Sequence, residues 1–142
     1  MTRGIDLATF NSKFEIYFED ISPSGIVHLE KIAEWMSMGR EQFFRNTCSD
    51  HLWLADRKVA IFTVSMSITI IGRSCWADKI SAIISISDIK KISYMVQFKF
   101  HNERTNEIIA LGAQKVAFIN SESGKFSTIP DDIQKVIVNY QR

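Results

Sequence analysis

FEDISPSGIVHLEKIAEW, residues 18–35, is the stretch in which this chain changes its period. Ahead of it and into it, from Lys13 to Asp20, side chains alternate: Phe14, Ile16 and Phe18 share one face, and Lys13, Glu15 and Tyr17 the other. That is the two-residue repeat of a half-buried strand. Pro23 and Gly25 then mark a turn. From about Ile26 the apolar residues Leu29, Ile32, Ala33, Met36, Phe43 and Phe44 recur at helical spacing, with Glu30, Lys31, Glu34, Glu41 and Gln42 on the opposite side. The stretch predicts a strand, a tight turn and a helix of about four to five turns. The mouth of that helix carries Glu19, Asp20, Ser22 and Gly25.

Downstream, residues 46–57 have no clean period and read as a loop. Four strand candidates follow in succession at 59–72, 79–88, 91–102 and 106–120, rich in Ile, Val, Phe, Ser and Thr. In the third, Ile92, Tyr94, Val96, Phe98 and Phe100 form one apolar face against Ser93, Gln97 and Lys99. The tail predicts a hairpin tip and a short helix from Pro130, a residue suited to a first helical turn. Strand, long helix and antiparallel meander make an α+β domain spanning residues 1–142, its sheet of about five strands wrapped around the one long striped helix.

Composition narrows the function classes. Seventeen basic residues against 16 acidic ones, interspersed, give a net charge of +1 and no basic field for nucleic acid. Cys48 and Cys75 match neither a zinc spacing nor a disulfide framework, and the histidines give no metal spacing. The N-terminus lacks the apolar core of a secretory signal, and VAIFTVSMSITII, at 13 residues the longest apolar run, is too short for a membrane span. The expectation is a cytoplasmic protein with two reduced thiols and no bound metal or cofactor.

With Asp20, Gly25, Val27, Trp35, Arg40 and Phe43 at matching places, the chain resembles the hot-dog fold thioesterases of the 4-hydroxybenzoyl-CoA thioesterase type. ALGAQKVAFIN at 110–120 resembles their late strand, particularly in enzymes attached to enediyne polyketide and polyunsaturated fatty acid synthases, and SCWADKI at 74–80 resembles an inter-strand turn. The resemblance covers nearly the whole chain. It implies a hot-dog fold, hydrolysis of an acyl-CoA or acyl carrier protein thioester in fatty acid or polyketide biosynthesis, and a homodimer or homotetramer with sites at the subunit contact. Ser22 stands where many members carry the Asp that serves as nucleophile or base, so that route is closed in its usual form.

Thioester hydrolysis needs a polarised carbonyl and a positioned water. The leading N–H groups of a helix lack intrahelical partners and sit at the positive end of its dipole, so they can hold an oxyanion. By resemblance the donor is the N–H of Leu29, and Gly25 either lets substrate approach or serves a turn that needs its dihedrals. Ser22 positions the water or caps the turn; Asp20 supplies a base or an Asx turn; His28 is a further candidate base or an exposed first-turn residue. His51 and His101 show no carboxylate partner.

Arg40 falls on the apolar stripe reached from Leu29 through Ala33 and Met36, where a fixed charge needs a partner. Either a carboxylate across the subunit contact pairs with it or it faces the reacting carbonyl, the role the resemblance implies. Trp35, Met36, Met38, Phe62 and Met66 read as core or as acyl lining. Lys90 and Lys91, with Arg73 and Lys79, meet the CoA phosphates or an acidic carrier face, or belong to a solvated edge. The rival readings are an acyl-binding or scaffold protein without catalysis, and a dehydratase, whose His-Phe-Pro-Gly-like site is absent.

Overall fold

The computed structural model describes residues 9–48 and 57–142. Strand β1 (Phe10–Glu15) precedes helix α1 (Leu29–Thr47), and β2 (Val59–Ile70), β3 (Lys79–Ser87), β4 (Ser93–Asn102), β5 (Glu107–Asn120) and helix α2 (Asp131–Val138) follow. The strands form one sheet in the order β1-β3-β4-β5-β2, every neighbouring pair antiparallel. This is the α+β, hot-dog arrangement of five strands against one long helix. No helix among the described residues is long and apolar enough to cross a membrane.

The helix lies on one face of the sheet because both elements present their apolar residues there. Ile32, Trp35, Met36, Phe43 and Phe44 of α1 are buried against Ile80, Ile84 and Ile86 of β3, Tyr94, Val96, Phe98 and Phe100 of β4, and Val116 and Phe118 of β5. Each fully buried side chain of this size is worth about 1.5–3 kcal/mol. Trp35 stacks on Phe14 with ring centroids 5.2 Å apart. Gly112 makes room for the helix: a Cβ there would stand 2.7 Å from the Met36 sulfur.

Four features depart from the expectations. The strand ends at Glu15, the alternation of buried and exposed side chains fails after Tyr17, and Phe18–Asp20 form a 3-10 turn. Phe18, expected on the buried face, is therefore 74% exposed. Helix α1 starts at Leu29 and not near Ile26, because Ile21 and Val27 pair as an antiparallel bridge that holds residues 26–28 extended. The helix also takes in Asn46 and Thr47 of the expected loop, while 49–56 lie outside the described residues. Met38 and Met66 are exposed and do not belong to the core.

The largest departure is topological. Only β3, β4 and β5 form a meander; β2 pairs with β5 and lies at the far edge. Residues 71–78 must therefore cross the end of the sheet to reach β3 beside β1. Ile71 and Gly72 donate to the Ile109 carbonyl, and Ser74 then donates to the Gly25 carbonyl at 2.8 Å, so the crossover is laced to the turn ahead of α1. At the other end of the sheet the C-terminus extends the β3 edge past β1: Ile86 donates to Tyr140 and Arg142 donates back to Ile86.

Candidate active site

The segment 20–28 is a small closed hairpin. His28 N–H donates to the Asp20 carbonyl, Ser22 N–H to the Ile26 carbonyl and Gly25 N–H to the Ser22 carbonyl, all at 2.8–2.9 Å. Ser22 Oγ accepts the Ile26 N–H at 3.2 Å and lies 2.9 Å from Ser24 Oγ. Gly25 sits at φ +88°, a conformation that penalises any Cβ, and a Cβ there would stand 3.0 Å from the Ser74 carbonyl oxygen. The turn geometry therefore requires this glycine on its own account.

Asp20 is buried, with one oxygen hydrogen-bonded and the other in an ion pair. One carboxylate oxygen accepts the Tyr17 N–H at 2.9 Å, and the other stands 3.2 Å from Lys31 Nζ on α1. That carboxylate raises the Lys31 ammonium above its ordinary value despite partial burial. The pair ties the 3-10 turn to the first turn of the helix.

His28 is the N-cap of α1 and is exposed. Its carbonyl accepts the first helical bonds, from Lys31 at 3.0 Å and Ile32 at 3.2 Å. The N–H groups of Leu29 and Glu30 precede those bonds, in the position where helix donors have no intrahelical acceptor. Beside them an apolar groove of about 350 Å³ runs between α1 and β2, lined by Leu29, Glu30, Ala33, Met66 and Ile68. Glu30, assigned from its spacing to the polar side of the helix, is thus a carboxylate at the groove. Its first-turn position was readable; the placement of β2 beside it was not.

Arg40 lies 11 residues beyond Leu29 on the same helix, roughly 16 Å along the axis at 1.5 Å per residue. Its Nη1 donates to Thr63 Oγ1 of β2 at 2.7 Å and to Gln114 Oε1 of β5 at 3.1 Å. Both partners are neutral, and no carboxylate pairs with Arg40 among the described residues. Burial lowers the guanidinium from its ordinary value. Close by, Tyr94 is buried with no hydrogen-bond partner for its hydroxyl among the described residues, and burial pushes the phenol up. The helix stripe identifies Arg40; Thr63 and Gln114, 23 and 74 residues away in sequence, it cannot identify.

The remaining candidates separate. Ser22 and Gly25 line a second cavity, of about 630 Å³, on the side facing the crossover, together with Arg73 and Trp76. Leu29 lines the groove. Lys90 and Lys91 are exposed in the β3–β4 turn, at the opposite end of the nine-residue β3 from Arg73 and Lys79, roughly 30 Å away in the same chain. His101 bonds Asn106 at a hairpin tip, and His51 lies outside the described residues.

Behind the crossover, Asp78 is a buried anchor that the spacing of residues did not reveal. Its oxygens accept from Arg104 at 2.7 and 3.1 Å, from Asn102 Nδ2 at 2.8 Å and from the Cys75 N–H at 2.8 Å. The Arg104 guanidinium, followed by these amide donors, holds its pKa down at about 2 against desolvation.

A sheet of five strands packed on one long helix, with an apolar groove opening at that helix's first turn, places the protein among the thioester hydrolases of hot-dog fold. The chain belongs to the thioesterase-like superfamily, whose family model matches residues 16–137. None of the curated proteins matches it. Among solved structures, the dynemicin thioesterase superposes with a TM-score of 0.87 at 14% identity, covering 95% of this chain and 99% of that one. The 1,4-dihydroxy-2-naphthoyl-CoA thioesterase from Synechocystis gives 0.81 at 14% identity, over 92% and 96%. A gentisyl-coenzyme A thioesterase gives 0.77 at 21% identity, over 90% and 99%.

Proposed function

We propose that this protein hydrolyses the thioester of an acyl-CoA or acyl carrier protein, with the acyl group in the groove between α1 and β2 and the carbonyl oxygen at the Leu29 N–H. The observation that carries this reading is the apolar groove ending at the first-turn amides of the helix. An oxyanion forming there meets fixed donors at the positive end of the helix dipole, in a wall with few competing polar groups. With Asp20 held by Lys31, Glu30 is the carboxylate placed to activate water, and Ser22, by anchoring the turn, positions the amides.

Arg40 stabilises developing charge from a second copy of the chain, since its own Leu29 amide lies too far along the helix. A homodimer also answers the fold's open edge. β2 has no neighbour on its outer side among the described residues, and Val64 and Met66 remain 46% and 38% exposed along it. Two such dimers would make the homotetramer, working in the cytoplasm on fatty acid or polyketide intermediates.

The test is thiol release from a panel of acyl-CoA and acyl carrier protein thioesters of graded chain length. Release above the uncatalysed rate, lost on blocking the groove with Ala33→Trp, is expected. Binding of acyl groups without thiol release would instead identify the acyl-binding scaffold.

A further inference from the structure

The cavity between the 21–25 turn and the crossover has an unusual rim. Phe18 and Trp76, from segments 58 residues apart, stack at a centroid distance of 4.6 Å and an interplanar angle of 7°. The pair stays 74% and 57% exposed, so each ring keeps surface open to solvent although a packed core lies nearby. Arg73, on the same wall, is exposed and outside the ion pairs formed among the described residues, and Lys79 stands exposed at the start of β3. An open π face beside a free guanidinium is the chemistry that recognises a planar base bearing phosphate: the base stacks, and the guanidinium takes the phosphate oxygens in a bidentate pair.

We infer that this cavity binds the adenine nucleotide end of a coenzyme A thioester, through Phe18, Trp76 and Arg73. The inference rests on the thioesterase reading for the position of the reacting carbonyl. Gly25, on the cavity wall, and Leu29, at the groove, are four residues apart, a separation of at most roughly 14 Å. The pantetheine arm of CoA spans that distance, leaving the nucleotide in one recess and the acyl chain in the other. Lys90 and Lys91, at the opposite end of the sheet, have no part in this recess.

The experiment measures calorimetric binding of adenosine 3',5'-bisphosphate to the wild type and to Trp76→Ala, Phe18→Ala and Arg73→Ala. It is paired with KM for one acyl group presented on CoA and on N-acetylcysteamine, which lacks the nucleotide. These side chains are exposed, and circular dichroism checks that each variant is folded. Binding of the bisphosphate, weakened about tenfold in each variant, is expected, as is a similar fall in the KM preference for CoA over N-acetylcysteamine. Unchanged bisphosphate affinity in the variants overturns the site, even if thioesters are hydrolysed; so does a change confined to the oligomeric state, which would make the aromatic pair a contact between copies. Bisphosphate binding that depends on Trp76 in a protein hydrolysing no thioester keeps the site and removes the thioesterase reading.

Discussion

Arg40 Nη1 donates to Thr63 Oγ1 at 2.7 Å, joining the middle of α1 to the edge strand β2 across the floor left between them. Among the described residues the partners of Arg40 are neutral, and in the proposed mechanism its charge stabilises an anionic transition state. Replacing Arg40 by Ala is expected to reduce kcat by about 10²–10³-fold, the usual effect of removing one oxyanion stabiliser. Its structural cost is the unsatisfied Gln114 Oε1, about 1–3 kcal/mol. Turnover and urea denaturation measured on the same preparation separate the two. Equal losses in both would make Arg40 a structural tie only.

In the proposed mechanism Glu30 takes the role of the missing aspartate, and Ser22 anchors the turn ahead of the helix amides. Ser22→Asp retains an acceptor for the Ile26 N–H, so the turn is expected to survive, and because position 22 lines the cavity at the crossover and not the groove, kcat is expected to stay unchanged. Glu30→Gln keeps the shape of the groove wall but removes a base, and kcat is expected to fall by about 10²-fold or more. Steady-state rates on one acyl-CoA decide both. A fully active Glu30→Gln enzyme would place water activation elsewhere.

Gly25→Ala tests whether the turn ahead of α1 is conformationally demanding. The φ of +88° and the 3.0 Å approach of the Ser74 carbonyl to an added Cβ both oppose the change. A loss of about 1–3 kcal/mol is expected in chemical denaturation. A neutral result would mean that the 20–28 hairpin can relax away from the crossover.

The architecture was legible wherever the signal was periodic. The change from a two-residue to a helical repeat locates β1 and α1, and the even positions Tyr94, Val96, Phe98 and Phe100 are the buried face of β4. What stayed hidden depended on contacts distant in sequence. The alternation of Phe14 and Ile16 continues through Phe18, and only the Tyr17–Asp20 bonds that form the 3-10 turn eject that ring. The pairing of β2 with β5 leaves no local trace, yet it brings Met66 beside Leu29 and Thr63 beside Arg40. The same crossover carries Trp76 onto Phe18.

Asp78 ties that crossover to the hairpin after β4, and its titration predicts how the protein responds to acid. Its carboxyl is held at about 2 in the folded chain by Arg104, Asn102 and the Cys75 N–H, against an ordinary value of 3.8. A group depressed in this way contributes stability that is fully present above the unfolded value and lost as pH falls through the folded one. The contribution, about 2 kcal/mol, should therefore be constant from neutral pH to about pH 5 and then disappear between there and pH 2. Asp78→Asn should flatten this part of the stability profile while lowering stability at neutral pH, since the amide cannot match the charge-assisted bonds to Arg104. Urea midpoints taken from pH 7 to pH 2.5 check both statements. An unchanged acid slope in the variant would assign the acid sensitivity to other carboxylates and leave Asp78 with packing alone.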